Sequence, residues 1–455
     1  MQIINPATHE VVDTVIEDSA EIIHTKFSSL RTGQPEWAEM PLQHRLAIIQ
    51  KFYNLLDEEK YVLALALTTE VGKPLQQSYN ELNGARARIQ FFLQQSEKYL
   101  QEEWVTEEGG TQEKIVYEPL GVIANISAWN YPYLVGTNVF IPALIAGNAV
   151  LYKPSEYALL TGLHIQRLFY KAGVPQNVFE LVVGAASAGE AMLSLPLDGY
   201  FFTGSYNTGK YIAEKVAHKL VPCQLELGGK DPLYVTDDIE DVKSVAAGTA
   251  DGAFYNNGQS CCSVERIYVQ EKVYDEYIDS FVEEVKSWKI GLPTEPAVYI
   301  GALTRPAQLT ILEKHVADAV EKGASLLYGG NRIVGAGNYF EPTVLVDVTN
   351  DMAVMREESF GPIIGIMKVT SDEEAVALMN DTDYGLTAAV YSSNEARAGN
   401  IMRKLNTGTV YWNCCDRVSA GLPWSGRKHS GLGTTLSHIG IRAFTQAKAW
   451  HLRKG

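Results

Sequence analysis

Two adjacent cysteines in the stretch NNGQSCCSVER, residues 256–266, are the strongest candidates for chemistry in this sequence. A thiolate is a nucleophile, and backbone N–H groups or a helix N-terminus lower the pKa of the thiol from which it forms. Buried cysteines, by contrast, are mostly inert small hydrophobic residues. The pattern predicts a reactive sulfur at Cys261 or Cys262, and the turn by itself does not choose between them.

A carboxylate and an amide stand at the ends of two predicted strands. Glu226 closes the apolar run in QLELGGKDP, where it is placed to act as a general base, and the glycine pair after it lets the backbone pass close to a ligand. Asn130 lies in SAWNYPY, where its side-chain amide can donate to a developing oxyanion. Taken alone, Glu226 is more often a solvated turn residue, and Asn130 also fits an Asx turn ahead of a helix.

Two further segments have the chemistry to bind a dinucleotide. In FTGSYNTGKY, a turn at Gly204 and Ser205 leads into a predicted helix, whose N-terminus attracts a pyrophosphate. Tyr211 stands where a P-loop needs Ser or Thr to hold magnesium, which argues against an NTPase. In KPSE, Lys153 and Glu156 can bind sugar hydroxyls, although a plain surface charge pair would have the same sequence.

The composition restricts the class of protein. A chain of 455 residues with 46% hydrophobic and 20% charged residues predicts two or three globular domains. A formal charge of -16 argues against a nucleic-acid partner and against binding to an anionic membrane. Five cysteines without a C-x-x-C pair predict neither a disulfide framework nor a metal site. No signal peptide or membrane span is apparent, so we expect a cytoplasmic protein.

The candidate residues need a scaffold, and the hydrophobic periodicity predicts one. Residues 36–104 show the three- and four-residue spacing of helices, and from about residue 121 short apolar runs alternate with helical stretches. That alternation predicts a parallel sheet covered on both faces, with ligands bound beyond the carboxyl ends of its strands. A second α/β region follows over about 228–413. Residues 102–120 predict a hairpin around a glycine pair, and the C-terminal segment a final strand.

Seven motifs in this order, WNYP, KPSE, FTGS, LELGGK, GQSC, EESFGP and PWSGRKHSG, make the sequence resemble the NAD(P)-dependent aldehyde dehydrogenase superfamily over essentially its whole length. The resemblance implies a Rossmann-like cofactor domain at 1–101 and 120–227 and a second α/β catalytic domain at 228–430. It also implies a small β oligomerisation arm at 102–119 and 443–455, and therefore a homodimer or homotetramer.

The resemblance also implies a role for each catalytic residue. The family's nucleophile is the cysteine two places after the Gly-Gln pair, which is Cys261, so Cys262 becomes a packed neighbour. Its thiolate would add to an aldehyde to give a thiohemiacetal, with the oxyanion held by the Asn130 amide and the Cys261 backbone N–H. Loss of hydride would leave a thioester, which water activated by Glu226 would hydrolyse to the carboxylic acid.

The same resemblance implies an NAD site. Lys153 and Glu156 match residues that hold the adenine ribose, and the Glu156 carboxylate would repel a 2′-phosphate, so NAD is expected and NADP is expected less. Gly204 and Ser205 would lie beneath the pyrophosphate. The expected cofactor contacts are Ile126, Ser127, Ala128, Trp129, Lys153, Ser155, Glu156, Gly204, Ser205, Leu227, Gln308, Glu358 and Phe360.

The substrate is less defined. The expected contacts are Tyr131, Asn138, Tyr255 and Trp424. Members acting on succinate semialdehyde carry an arginine at the position of Asn138, so an acidic aldehyde is disfavoured. The three aromatic residues would suit a betaine aldehyde or an aminoaldehyde, but Asn138 also stands where a further tryptophan would complete a cation-binding cage. Aromatic and medium-chain aldehydes fit the same walls.

Three other functions remain open. A CoA-acylating dehydrogenase would pass the thioester to CoA, and the presence of Glu226 argues for water instead. A cysteine hydrolase would have no use for KPSE and FTGS. A non-catalytic protein on this fold should have lost some of Cys261, Glu226 and Asn130, and all three are present.

Overall fold

The structure, a computed structural model, describes residues 1–106, 110–335 and 337–453. The helices in these ranges are α1 (Ala20–Glu39), α2 (Leu42–Glu58), α3 (Lys60–Val71), α4 (Leu75–Leu100), α5 (Pro132–Ala146), α6 (Leu159–Ala172), α7 (Ala186–Ser194), α8 (Tyr206–Val216), α9 (Val242–Phe254), α10 (Tyr274–Ser287), α11 (Pro306–Glu321), α12 (Ala353–Arg356), α13 (Asp372–Asn380), α14 (Glu395–Met402) and α15 (Ser437–Arg442). The strands are β1 (Gln2–Ile4), β2 (Val11–Thr14), β3 (Glu103–Thr106), β4 (Thr111–Pro119), β5 (Val122–Ile126), β6 (Ala149–Lys153), β7 (Phe179–Leu181), β8 (Gly199–Thr203), β9 (Cys223–Glu226), β10 (Asp231–Val235), β11 (Val264–Gln270), β12 (Lys289–Ile290), β13 (Val298–Ile300), β14 (Ser325–Tyr328), β15 (Thr343–Val346), β16 (Ile363–Val369), β17 (Tyr384–Gly385), β18 (Thr387–Tyr391), β19 (Thr409–Trp412), β20 (Arg427–Lys428), β21 (Gly431–Leu432) and β22 (Thr445–Arg453).

The first large sheet has the strand order β21-β9-β8-β5-β6-β7, and all neighbours in it are parallel except β21. Its parallel strands are nearly continuous runs of buried apolar residues, because helices cover both faces. The carboxyl ends of β5, β6, β8 and β9 therefore lie along one edge, which brings the segments after Ile126, Lys153, Thr203 and Glu226 together. The predicted alternation of strands and helices over 121–218 is confirmed.

The second large sheet has the order β14-β15-β16-β11-β10-β18-β19, parallel apart from the β14 edge. The turn that carries the two cysteines runs from α9 into β11. Helices α1–α4 precede both sheets, and α4 packs along α5, a helix buried on nearly every side. The expected helical region over 36–104 and the second α/β region are confirmed. Within the described residues, no helix is both long and apolar enough to cross a membrane.

A separate three-stranded antiparallel sheet stands in the order β22-β4-β3. It confirms the predicted hairpin strands and the final strand, and β22 pairs with β4 of the same chain. The glycine pair of the predicted hairpin turn falls partly outside the described residues, at 107–109, as do residues 454–455 of the expected arm. The domain boundaries given above remain predictions.

Candidate active site

The cysteine turn is held by an unusual backbone. Asn256 and Asn257 are fully buried and adopt left-handed conformations, with φ of 54° and 58°, a region in which asparagine is tolerated better than most residues. The Asn256 amide donates to the backbone oxygens of Gln259 at 3.0 Å and Asn130 at 3.2 Å. These bonds tie the turn to the segment that follows β5. Sequence analysis named Gly258 and Gln259 but missed Asn256, whose signal was the pair of asparagines before that motif.

The two cysteines lie in different environments. Cys261 is half-buried, whereas Cys262 is buried and its thiol donates to Oδ1 of Asp416 at 2.9 Å. The contact with Cys261, together with burial and Asp416, holds the pKa of the Cys262 thiol well above its usual range. Cys262 is thus kept as a neutral donor, and the Cys261 sulfur belongs to the less buried of the two residues.

Asn130 is buried next to this turn. Its side-chain amide donates to the backbone oxygen of Gln259 at 3.1 Å, which leaves a second amide hydrogen for another acceptor. Among the described residues, no acceptor bonds to the backbone N–H of Cys261. The two donors expected to hold an oxyanion are therefore both at the cysteine turn. Each has an N–H hydrogen that no described residue accepts.

Glu226 ends β9, as expected, and its carboxylate accepts hydrogen bonds from Thr435 and, at 3.5 Å, from Thr203. Burial raises the pKa of Glu226 to about 7, against the opposing effects of Thr435, Arg88 and Thr203. A carboxylate with that pKa is half deprotonated near neutral pH, as a general base requires. Thr435 was missed because it lies beyond the last motif that the sequence analysis used.

Cys261 and Glu226 line one cavity of about 1050 Å³. All four residues expected to contact the substrate line it too: Tyr131, Asn138, Tyr255 and Trp424. Asp416 and Arg88 also contribute to its wall, and neither was predicted. Residues from α4, α5, α9 and the loop after β19 enclose it, so its shape depends on segments far apart in the sequence.

The other expected contacts lie where the first sheet ends. Lys153 is buried, and within the described part of the chain its ammonium makes one hydrogen bond, to the Pro154 backbone oxygen at 3.3 Å. It therefore retains donors that fit ribose hydroxyls. Ser205 is the N-cap residue of the 11-residue helix α8 and has no side-chain cap bond, so backbone N–H groups there stay available to a pyrophosphate. The Ser155 hydroxyl donates a hydrogen bond to the Glu156 carboxylate at 3.2 Å. These groups fit a dinucleotide.

Glu358 and Phe360 lie opposite that edge. The Glu358 carboxylate accepts the Gly229 N–H at 3.2 Å, and it lies so close to Gly228 that a Cβ there would stand 2.4 Å from both of its oxygens. This contact explains the glycine pair after Glu226. Burial raises the pKa of Glu358 to about 8. The ring of Phe360 meets Trp129 edge to face at 5.4 Å.

Two of the remaining expected cofactor contacts, Gln308 and Leu227, bond to the protein backbone. Gln308 donates to the Ser359 backbone oxygen at 2.5 Å, so it supports the loop between Glu358 and Phe360. Leu227 is buried, and its N–H bonds to the Ser430 oxygen at 3.1 Å. Ile126, Ser127 and Ala128 form the end of β5 and the segment after it, and the Ser127 hydroxyl is buried without a partner among the described residues.

The fold and this site are those of a class of dehydrogenases in which a cysteine and a carboxylate line one cavity beside a parallel sheet. A sequence profile described as the aldehyde dehydrogenase family matches residues 1–450. The chain therefore belongs to the aldehyde dehydrogenase family, and it is an enzyme that oxidises aldehydes.

Relatives with different substrates are about equally similar. A succinate-semialdehyde dehydrogenase [NADP(+)] of Deinococcus radiodurans is 34% identical over 98% of this chain and 93% of its own. Aminoaldehyde dehydrogenase 2 of Zea mays is 32% identical over 98% and 91%. The crystal structure of an NAD-dependent aldehyde dehydrogenase from Sinorhizobium meliloti superposes with a TM-score of 0.96, at 32% identity over 99% and 91%. Since NADP and NAD enzymes both occur among them, the expectation that NADP is less favoured is not supported.

Proposed function

We propose that this enzyme oxidises its aldehyde through a covalent bond to Cys261. The Cys261 thiolate forms a C–S bond to the carbonyl carbon, and the carbonyl π electrons move to oxygen. The Asn130 amide and the Cys261 N–H donate to that oxyanion. NAD(P), held by residues such as Lys153 and Ser205, would supply the two-electron oxidation by accepting hydride, and Cys261 would then carry the acyl group as a thioester.

Glu226 then completes the reaction. Its carboxylate takes a proton from water as the water oxygen bonds to the thioester carbon, and the C–S bond breaks to release the carboxylic acid and the Cys261 thiol. The observation that carries this proposal is the cavity that Cys261 and Glu226 line together. The presence of the Glu226 carboxylate in the same cavity as Cys261 favours water over CoA as the acceptor.

The test is a comparison of Cys261→Ser with Cys262→Ser, with NAD(P) reduction and acid formation as readouts. Cys261→Ser should lower kcat by about 10³-fold or more, as loss of a nucleophile does. Cys262→Ser should keep kcat within about tenfold, because that thiol only donates to Asp416. Equal losses would reject this assignment, and an acyl-CoA product in place of the acid would identify the CoA-acylating alternative.

We further propose that Glu156 sets the ratio of NAD to NADP use. Its carboxylate stands beside Lys153, and a 2′-phosphate at that ribose would meet like charge. Glu156→Ser should lower the ratio of kcat/KM for NAD to kcat/KM for NADP by about tenfold, roughly 1.4 kcal/mol. An unchanged ratio would place cofactor choice elsewhere.

We also propose a homodimer or homotetramer built on the β22-β4-β3 sheet. The outer edges of β3 and β22 pair with no strand in the described parts of the chain, and Trp104, Val105 and Trp450 on them are exposed. Light scattering should give twice or four times the 50.2 kDa chain mass. With five free cysteines, we expect this assembly in the cytoplasm.

A further inference from the structure

Arg88 contributes a guanidinium to the cavity beside the nucleophile. It lies on α4, is 8% exposed, and lines the same cavity as Cys261 and Glu226. Its hydrogen bonds with the described residues both come from Nη1, to the Leu134 backbone oxygen at 3.1 Å and to Oδ1 of Asn138 at 2.8 Å. Arg88 is therefore held in place by neutral oxygens.

The other side of this guanidinium has no hydrogen-bond partner among the described residues. Burial lowers the pKa of Arg88, and the charge of the nearby Glu226 carboxylate opposes this shift. Nε and Nη2 of Arg88 make no hydrogen bond with the described residues, and both keep accessible surface. A buried charge normally has an opposite charge or a full set of hydrogen bonds, because leaving water is costly. The N–H groups of Nε and Nη2 form the planar edge that binds both oxygens of one carboxylate. The arrangement is that of an anion receptor.

The acidic groups of the cavity are, by contrast, mostly satisfied from within the protein. Glu81 pairs with Lys73, and Asp416 accepts the Cys262 thiol. Asp251 accepts the Tyr299 hydroxyl at 2.5 Å, and Asp241 caps α9 by accepting the Ser244 N–H at 2.9 Å. Apart from Glu240, each of these carboxylates accepts a hydrogen bond from the protein, and Asp241 and Glu240 are exposed. Arg88 differs from them because it is buried and its Nε and Nη2 groups have no acceptor among the described residues.

The aromatic side chains of the cavity also favour an anionic substrate over a cationic one. The Lys73 ammonium lies 3.9 Å from the centre of the Tyr131 ring, so one face of that ring already binds a cation of the protein. The Asn80 side-chain amide donates a hydrogen bond to the Tyr255 hydroxyl oxygen at 3.1 Å. A substrate ammonium group would thus find one ring face of the expected cage taken, with Arg88 nearby to repel it.

We propose that Arg88 binds the carboxylate of the substrate, and that this enzyme oxidises aldehydes that carry an anionic group at their other end. The proposal rests on the proposed function of Cys261 and Glu226. It also gives Asn138 a different role from the one the sequence suggested. Asn138 argued against an acidic aldehyde because it replaces an arginine, yet its amide oxygen holds an arginine that comes from another helix.

The test compares three short aldehydes, which are 4-oxobutanoate, butanal and 4-aminobutanal, in wild type, Arg88→Met and Arg88→Lys. Wild type should show a kcat/KM for 4-oxobutanoate at least about tenfold above that for butanal. Arg88→Met should lower the value for 4-oxobutanoate by about 100-fold, the size of a lost bidentate charged bond. The value for butanal should fall by about tenfold or less, because Arg88 also opposes the rise in the pKa of Glu226. Arg88→Lys should fall between. Arg86→Met, on the same helix and paired instead with Asp57, is the matched control and should resemble wild type.

Binding of succinate, measured by calorimetry without cofactor, gives a readout independent of turnover. Its Kd should rise at least about tenfold in Arg88→Met and stay unchanged in Arg86→Met. Parallel losses with butanal and 4-oxobutanoate, or a wild-type preference for 4-aminobutanal, would overturn the proposal. If no wild-type aldehyde reaction reduced NAD(P) while succinate still bound through Arg88, the proposed function would fail and the anion site would stand.

Discussion

Two buried lysine–glutamate pairs lie on either side of Cys261, one on the side of the substrate cavity and one on the side of the expected cofactor groove. On the substrate side, Lys73 pairs with Glu81 and donates to the Asn130 backbone oxygen at 2.7 Å. Glu81 also accepts the Tyr133 N–H at 2.8 Å. Both ions thereby fix the backbone that carries the Asn130 amide.

The cofactor-side pair is built in the same way. Lys230 pairs with Glu265 and donates to the Ser359 hydroxyl at 3.0 Å. Glu265 accepts the backbone N–H groups of Ser359 at 2.9 Å and Phe360 at 3.3 Å. In both regions a buried ion pair uses its remaining hydrogen-bonding capacity on the backbone of a functional loop.

The two pairs differ in what they contact next. Lys73 meets the Tyr131 ring, which carries no charge near neutral pH. The Ser359 hydroxyl lies 3.4 Å from Nδ1 of His315, and Glu358, with its pKa raised to about 8, is one residue away. The substrate-side pair therefore contacts a neutral ring, whereas the cofactor-side pair lies next to groups whose charge changes with pH.

The largest effect should come from breaking the substrate-side pair. Glu81→Gln leaves the fully buried Lys73 without its counter-charge, which should lower the free energy of unfolding by about 3–5 kcal/mol. Urea denaturation measures this loss. Glu283→Gln, which breaks the exposed pair with Lys243, is the control and should cost about 1 kcal/mol or less. A loss as small as that in Glu81→Gln would mean that the pair does not stabilise the substrate side.

Removing both partners separates folding from catalysis. Lys73→Met with Glu81→Leu replaces the ions by apolar groups, so it should recover most of the stability lost in the single variant. The Asn130 backbone then loses its Lys73 donor, and kcat should stay about tenfold or more below wild type. A double variant that is stable and fully active would show that Asn130 needs no such support.

The sequence predicted the site residues whose positions follow from the local pattern of strands and helices. Strand-to-helix junctions such as those at Asn130 and Ser205 follow from alternating apolar runs, and their ordered motifs indicated the family. Glu226 was found because it closes one of those strands. Cys261 was distinguished from Cys262 only through the resemblance, and the structure adds a physical reason, the bond from Cys262 to Asp416.

Residues supplied by the helices before the sheets were not predicted. Lys73 lies in the turn between α3 and α4, and Glu81 and Arg88 lie on α4, all within the region that the periodicity assigned to helices. Charged residues in such a region usually face solvent. Their burial follows from α4 packing on α5, which is a tertiary contact that no local pattern encodes. The seven-residue spacing from Glu81 to Arg88 places them on one helix face, and that was the available signal.

Breaking the cofactor-side pair should change a different kinetic constant. Glu265→Gln removes the acceptor for the Ser359 and Phe360 N–H groups that orients Glu358, so KM for NAD(P) should rise about tenfold. The aldehyde KM should change by less than about twofold, because this pair does not line the substrate cavity. Initial rates with each substrate varied in turn measure both constants. A rise in the aldehyde KM instead would contradict the division into two sides.

The Glu226 carboxyl should set the dependence of kcat on pH. The pKa of Glu226 is raised to about 7, so its basic form predominates only above that pH. Where thioester hydrolysis limits turnover, kcat should fall about tenfold per pH unit below about 7. Glu226→Gln should be slow at every pH and show no such slope. The same slope in that variant would assign the titration to another group.

The smallest effect should come from His315, the link between the cofactor-side pair and exposed Glu357. Burial and the nearby Lys230 lower the pKa of His315 below its ordinary 6.5, so it is neutral at pH 7.5, and His315→Gln should change KM for NAD(P) there by less than about twofold. The unfolded chain binds that proton more readily than the folded one, so protonation opposes the native loop as the pH falls below 6.5. Wild type should therefore lose cofactor affinity in that range, and His315→Gln should lose less. An identical loss of cofactor affinity below pH 6.5 in both proteins would mean that protonation of His315 does not affect the cofactor side.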